Sequence, residues 1–434
     1  MPEKKKSVVP RLRFPEFRDA EEWEVKRLKH ISPYIFDGTH QTPNYIEKGV
    51  PFFSVENIVS GKKNKYISME DHLAATIKNK PEKGDILITR IGNIGFSKVV
   101  DWDYEFSIYV TLAVVKKSEL FNSQYLHCYF QSEYCQKEIL SKSLLSAVPC
   151  KINMDELQKT KVLLPSPPEQ QKIADCLSSL DEVIYLEAQK LDALKAHKKS
   201  LMQQLFPREG ETTPRLRFPE FRDAEEWEVE RFGEVYSFHP TNSFSRDKLS
   251  YESGMIKNIH YGDIHTKFAV LFDITKEQVP YLHPSLDIEK LNHEAYCKEG
   301  DIILADASED IDDIGKSIEI VNLNGEKVVS GLHTIMARQK LPKLIVGFGG
   351  YLFGTAYIRE QIKREAQGAK VLGISPIRLS KISVIYPSIK AEQQKIADGL
   401  SSLYEVINLQ TQKVDALKAH KKGLMQQLFP QEVD

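Results

Sequence analysis

A 39-residue stretch occurs twice in this chain, and any fold must be organised around it. Glu169–Pro207 reads EQQKIADCLSSLDEVIYLEAQKLDALKAHKKSLMQQLFP, and Glu392–Pro430 repeats it with about 32 of 39 positions identical. Duplication on this scale signals one supersecondary unit used twice. Each copy reads as a single long helix. In the first, apolar residues fall at Ile173, Leu177, Leu180, Ile184, Leu191, Leu194, Leu201 and Leu205. The steps alternate four and three, which is the seam of a coiled coil. Ser166, Pro167 and Glu169 predict a capping box with proline at the first helical position, and Pro207 ends the run. At 1.5 Å per residue such a helix is about 58 Å long, too long for one side of a compact domain.

The seam breaks at Glu187 and Lys198, and the second copy breaks at the equivalent Gln410 and Lys421. Antiparallel pairing with residue numbers summing to about 608 sets polar against polar. Leu180 then faces Leu428, Ile184 Leu424, Leu191 Leu417, Leu194 Val414, Leu201 Ile407 and Leu205 Leu403, while Glu187 faces Lys421 and Lys198 faces Gln410. A register one heptad away, near 601, sets Glu187 on Val414 and Lys198 on Leu403 and is expected to bury charge against apolar groups. The 608 register is therefore the expected one.

A second repeat precedes each helix. PRLRFPEFRDAEEWEV at 10–25 recurs unchanged at 214–229. Each half thus runs as short motif, variable body, long helix. The expected divisions are 1–168, 169–207, 208–391 and 392–434. The bodies share only short echoes, such as KGDILI at 83–88 against EGDIIL at 299–304. A constant frame around unlike inserts is expected when each insert has its own recognition task.

Both bodies read as mixed α/β. Val50–Val55, Asp85–Thr89, Ile108–Lys116 and Val162–Leu164 are predicted strands in the first, with a helix over Tyr125–Leu145. In the second, strands are predicted at Ile256–Ile259, Asp301–Ala305, Ser317–Val321, Thr334–Arg338 and Ile382–Ile385, with a helix over Tyr351–Ala366. REGETT at 208–213 is a short polar linker. The expected fold is α/β (α+β): two globular bodies separated by two long antiparallel coiled-coil helices, with a pseudo-two-fold internal repeat.

Net charge is −2, so no global basic field marks a protein that binds nucleic acid by charge alone. Five cysteines form no CxxC pair, which fits a reducing cytosol and neither a disulfide framework nor a zinc site. MPEKKK has no apolar segment behind it, so no signal peptide is expected, and no run reaches the length of a membrane span.

Catalytic motifs fail on inspection. DIDDIGKS at 310–317 ends like a phosphate loop, but Asp310 stands where glycine is needed and three aspartates repel phosphate. GFGGYLFG at 347–354 is a lone glycine run, and the chain lacks the Asn/Asp-Pro-Pro-aromatic tetrapeptide with which amino-methyltransferases grip a flipped base. Asp101 and Asp103 read as turn residues, and His197 and His420 as surface residues. No metal site is expected. What remains is recognition at two places a set distance apart: in the 608 register the helices overlap over roughly 45 Å, against 34–36 Å for one turn of B-DNA.

The whole arrangement resembles the specificity subunit of type I restriction–modification enzymes. The residues that carry the resemblance are PRLRFPEF with WEV (10–25, 214–229), GDILITRIGNIG (84–95) with GDIIL (300–304), and PPEQQKIA (167–174) with EQQKIA (392–397) ahead of the leucine-rich helices. Ala391, where the first copy has Pro168, departs from the pattern. The resemblance implies that each body is a target recognition domain reading half of a bipartite, asymmetric DNA site. It implies helices that set the spacing and dock two methyltransferase subunits, which supply S-adenosylmethionine and methylate adenine. Restriction and motor subunits would bring ATP and Mg. The chain itself would be cytoplasmic, non-catalytic and free of cofactor.

Within the bodies, DNA contacts are expected at Lys62, Lys63, Lys65 and Tyr66, a basic-aromatic loop, and at Arg90 and Asn93 in a glycine-bounded turn. Arg grips guanine and Asn adenine, and lysines hold phosphate. The first body carries about +4. In the second body the candidates are His260, Tyr261, His265 and Lys267 in IHYGDIHTK, with Ser308 and His333; this body is near neutral, so its DNA face must be local. Two other classes compete: a duplicated coiled-coil adaptor without DNA specificity, and a methyltransferase of unusual sequence.

Overall fold

A computed structural model describes residues 8–286 and 291–430; MPEKKK, read above for a signal, lies outside them. The chain packs as two units. The first takes residues 1–189 and 411–434, the second residues 190–410. The two long helices are Pro167–Leu205 and Lys390–Leu428, each 39 residues. Ala391 costs the second helix nothing, since it begins at the residue equivalent to Pro167. Each unit therefore holds the first part of one long helix and the last part of the other.

The frame motif explains itself in space. In the first unit Arg13 Nε and Nη2 donate to the two carboxylate oxygens of Glu169, at 2.8 and 2.7 Å. Trp23 Nε1 adds a third donor at 3.3 Å. The remaining guanidinium donors close on the Ala20 and Glu21 carbonyls. Glu169 thus serves this clamp in place of the expected capping box with Ser166. Leu12 N–H donates to the Gln427 carbonyl at 3.0 Å, so the same motif also holds the end of the other long helix. The second unit repeats the device: Arg217 and Trp227 bind Glu392 at 2.8, 2.8 and 3.3 Å, and Leu216 N–H reaches the Gln204 carbonyl at 2.9 Å.

The helices run antiparallel within each unit, but facing residues sum to about 601, and the 608 register is corrected. In the first unit Lys421 pairs with Asp181 and Lys413 with Glu187. In the second, the Lys198 ammonium lies 4.9 Å from the Tyr404 ring and 5.8 Å from the Tyr351 ring. The objection to this register was buried charge. The long side chains remove it by carrying their charged ends sideways to partners off the seam. Apolar packing then decides: Leu428 and Phe429 join Ile173 and Leu177 in the first core, and Leu205 and Phe206 join Ile396 and Leu400 in the second.

The two bodies share a sheet that their sequences conceal. In the first, an antiparallel sheet runs Ile35–Asp37, Leu112–Val115, Ile86–Thr89, Ser97–Val99. In the second, the order is Tyr236–His239, Thr334–Gln339, Ile302–Ala305, Ser317–Asn322, with Leu271–Asp273 added in parallel. The echo GDILI/GDIIL is the third strand of both. A smaller sheet also recurs: Val50–Phe53 pairs in parallel with Ser107–Ile108, as Lys257–Ile259 does with Val328–Ser330. A WEV strand closes each unit against the strand before its long helix, Glu24–Arg27 on Lys161–Leu164 and Glu228–Arg231 on Ser383–Tyr386.

The predicted strands fall in place within a few residues, with one split. Ile108–Lys116 breaks at a turn in which Leu112 N–H bonds the Tyr109 carbonyl. Both predicted body helices also divide. Ser123–Phe130 and Glu133–Ser141 part at Ser132, which caps the second by accepting from Cys135 N–H. Phe348–Phe353 and Ala356–Glu365 part at Thr355 in the same way.

Removing one partner of a buried, hydrogen-bonded ion pair strands the other charge, a loss of roughly 3–5 kcal/mol. Glu169→Ala should therefore destabilise the first unit, and Glu392→Ala the second, by about that much in urea unfolding followed by tryptophan fluorescence, with Glu→Gln at either site retaining part of the loss.

Candidate nucleic-acid interface

In the first unit Val50–Phe53, the middle strand of the smaller sheet, runs into a short helix, Val55–Ser60, that ends at Gly61 with φ of 72°. Asn57 sits buried beneath the loop that follows. Its side chain accepts from Ser54 N–H at 3.0 Å and donates to the Lys62 carbonyl at 3.0 Å and to Asn64 Oδ1 at 2.6 Å. One buried amide thereby shapes the lysine loop. Lys62 and Lys63 are exposed and Lys65 and Tyr66 half-buried.

The lysines lie among aromatic rings. Lys63 Nζ stands 4.2 Å from the Tyr104 ring. Tyr104 stacks on Trp102 with centroids 5.7 Å apart and planes 15° apart, and Lys98 covers Trp102 at 5.6 Å. Lys65 pairs with Glu56 at 3.0 Å and lies 5.8 Å from Tyr45. Tyr66 OH donates to the Lys63 carbonyl. The Trp102–Tyr104 stack was not among the sequence candidates, because it lies some forty residues from Lys63.

Arg90 and Asn93, adjacent in sequence, separate in role. Arg90 is only 7% exposed. Its guanidinium donates to Asp37 Oδ2 and the Val110 carbonyl, both at 3.0 Å, and to the Ile152 carbonyl at 3.3 Å. It ties the turn to the sheet and has no free donor fork for guanine, so it leaves the set of base readers. Asn93 is exposed between Gly92 and Gly95, whose φ values are 85° and 86°.

In the second unit the corresponding strand Lys257–Ile259 runs into Tyr261–Thr266, capped by His260, which accepts from Gly262 N–H at 3.2 Å. Tyr261 gathers three histidines: ring centroids lie 4.7 Å away for His260, 6.0 Å for His265 and 5.2 Å for His333. His333 holds a left-handed backbone, φ 53°, and its Nδ1 meets Asp306 Oδ1 at 3.1 Å. A non-glycine residue held in that region marks backbone strain of the kind found at functional sites. His265 Nε2 meets the Ala307 carbonyl at 3.1 Å, and Ser308 Oγ accepts from Asp310 N–H. Lys316, the lysine of the phosphate-loop look-alike, donates to the His265 carbonyl.

Lys267 joins a charged group at the edge of this cluster. Asp263, buried, accepts from Arg246 at 2.7 and 3.0 Å and pairs with Lys267 at 3.0 Å. Burial pushes the Asp263 carboxyl up, yet the two cations hold it below its ordinary range. Burial, aided by Arg246, lowers His260. Arg246 was missed by sequence reasoning; the only signal was its place between a Ser and an Asp.

The glycine run has a packing role. Gly350 N–H donates to Glu319 Oε2 at 2.6 Å. A β-carbon at Gly350 would come within 2.7 Å of Leu271. Burial raises the Glu319 carboxyl to about 7.

A family model described as the type I restriction modification DNA specificity domain matches twice, at residues 20–196 and 224–419. The chain belongs to the type I restriction–modification DNA specificity family. It is similar to the putative type I restriction enzyme MjaX specificity subunit of Methanocaldococcus jannaschii, 24% identical over 427 residues, covering 94% of this chain and 93% of that one. The MjaVIII specificity subunit of the same organism is 27% identical over 194 residues, 43% and 45% of the two chains. The fold matches the S subunit of a type I restriction–modification system from M. genitalium with a TM-score of 0.58 at 14% identity, over 98% and 99% of the two chains. It also matches a chain from a structural study of type I complex assembly and conformational transition, TM-score 0.55 at 13% identity, over 94% and 98%.

This specificity subunit carries two target recognition domains, one in each matched segment, and is non-catalytic in itself. The adaptor reading is not favoured. Among the described residues no helix is long and apolar enough to cross a membrane, and no three His, Cys, Asp or Glu converge as metal ligands.

Asn93→Ala should weaken DNA binding by the assembled complex without moving its unfolding midpoint, whereas Arg90→Met should lower that midpoint by leaving the Val110 and Ile152 carbonyls without a donor and Asp37 with His40 alone. For Glu319 the folded state holds its proton to about pH 7, while the unfolded chain releases it near 4.5. Its contribution is complete below the lower value and is lost as pH rises through the upper one. In Glu319→Gln the thermal midpoint of the second unit should lack the decline that the parent shows from about pH 5 to about pH 7.

Proposed function

We propose that each unit reads one half of a bipartite, asymmetric DNA sequence. The two long helices set the spacing between the halves and dock two methyltransferase subunits. Those partners bring S-adenosylmethionine and methylate adenine, and restriction and motor subunits supply ATP- and Mg-dependent cleavage. The complex works in the cytoplasm on double-stranded DNA. The near-neutral charge of the subunit fits a division of labour in which the methyltransferases share the phosphate grip.

One observation carries this reading. The residues singled out in two bodies of dissimilar sequence occupy equivalent places: Lys62–Tyr66 and His260–Lys267 follow the same internal strand of the smaller sheet, and Asn93 and Ser308 follow the same central strand of the larger one. Each place offers groups suited to DNA, cations and rings in the first unit and histidines with Tyr261 in the second.

Mapping methylated adenines in host DNA that carries this system tests the proposal. The expected result is two methylated positions on opposite strands of a gapped motif. Replacing residues 26–168 by another body should change one half of the motif and leave the other. A single ungapped motif, or a swap that alters both halves, would overturn it.

A further inference from the structure

The first unit presents an apolar hairpin tip that no described residue covers. Leu144 and Lys151 close the hairpin with reciprocal backbone hydrogen bonds of 2.7 and 3.3 Å. Between them Leu145 is 60% exposed, Val148 99%, and Pro149 is exposed as well. Neighbouring apolar side chains left in water on a folded domain mark a surface that meets something else.

The tip is held in place. Gly92 N–H donates to the Cys150 carbonyl at 2.8 Å, Cys150 Sγ donates back to the Gly92 carbonyl at 2.9 Å, and Ile91 bridges to Lys151. The hairpin is therefore zipped to the turn that exposes Asn93. Its charge is one-sided: from Lys142 to Asn153 there are two lysines and no carboxylate. Lys142 is spent on Glu138, and Lys151 has no ionic partner among the described residues. An apolar tip in a cationic setting suits a partner with an anionic exterior and an apolar interior, as a base-paired duplex has.

The second unit has the equivalent hairpin, Gln367 to Gly373, zipped to Ala307 and Ser308. Its tip reads GAKV and offers one exposed large apolar side chain, Val371.

We propose that Leu145, Val148 and Pro149 form a wedge that enters between stacked bases in the half-site read by the first unit. This rests on the reading of that unit as a half-site reader. Apolar wedges of Leu, Ile, Met, Phe or Pro partly unstack a base step, at a cost that depends on the step. Pyrimidine–purine steps yield most easily. The wedge thus adds sequence preference at a step where no base edge is contacted, and does so in one half of the site alone.

The test uses the full subunit assembled with its methyltransferase subunits, on duplexes carrying the mapped site with 2-aminopurine placed at steps across either half. Binding should raise fluorescence several-fold at one step of one half. Leu145→Ser/Val148→Ser should abolish that rise and weaken binding roughly tenfold, and leave the other half unaltered. Lys151→Gln should weaken binding and keep the rise. Sequence-specific binding by the parent complex with flat fluorescence in both halves overturns the wedge alone, as does a double variant indistinguishable from the parent. A double variant that no longer co-purifies with the methyltransferase subunits makes the tip a protein contact and also overturns it. Binding by the parent without sequence preference removes the half-site reading and the wedge together.

Discussion

A single buried carboxylate organises each unit. Glu169 accepts from Arg13 and Trp23, and Glu392 from Arg217 and Trp227, with matching distances. Taking a carboxylate and a guanidinium out of water is expensive, and a pair of this kind contributes less to net stability than to uniqueness. Here four of the five N–H donors of the fork are directed. Two point at the start of one long helix, and the others fold the frame motif onto its own carbonyls. The adjacent leucine holds the end of the other helix through its backbone. Antiparallel helices follow from the clamp, and the 601 register accords with it.

Much of this was legible from residues alone. The duplicated heptad seam declares two long helices, and the GDILI/GDIIL echo marks one strand in each body. The register was not legible, because matching polar to polar treats side chains as points, whereas Lys198 and Lys421 are long enough to carry charge off the seam. The breaks at Ser132 and Thr355 were hidden because an internal cap leaves apolar periodicity nearly intact. Arg90 looked like a reader because its acceptors, Asp37 and the Val110 and Ile152 carbonyls, are distant in sequence. The common sheet was invisible because a buried strand needs only some apolar residue at each position, so the two bodies diverged freely around one pattern.

The two readers differ in chemistry on the same scaffold. The first combines lysines with stacked rings, the kind of surface on which nucleic-acid backbones and bases can rest. The second concentrates histidines around Tyr261, where donors and acceptors are few and fixed, next to the acidic stretch 306–313. Cations there are held by Asp263 or by backbone carbonyls, so little free positive charge is left for phosphate.

The clamp also orders events during synthesis. Phe429 packs its ring on Trp23, Tyr125 and Tyr129, with centroids 6.4, 5.9 and 5.9 Å away, filling the centre of the first core. The second unit needs nothing beyond residue 410. On a ribosome the downstream unit can therefore close first, while the upstream core keeps the face that Phe429 covers open until the last turns of the final helix emerge. The half made earliest is the half completed latest.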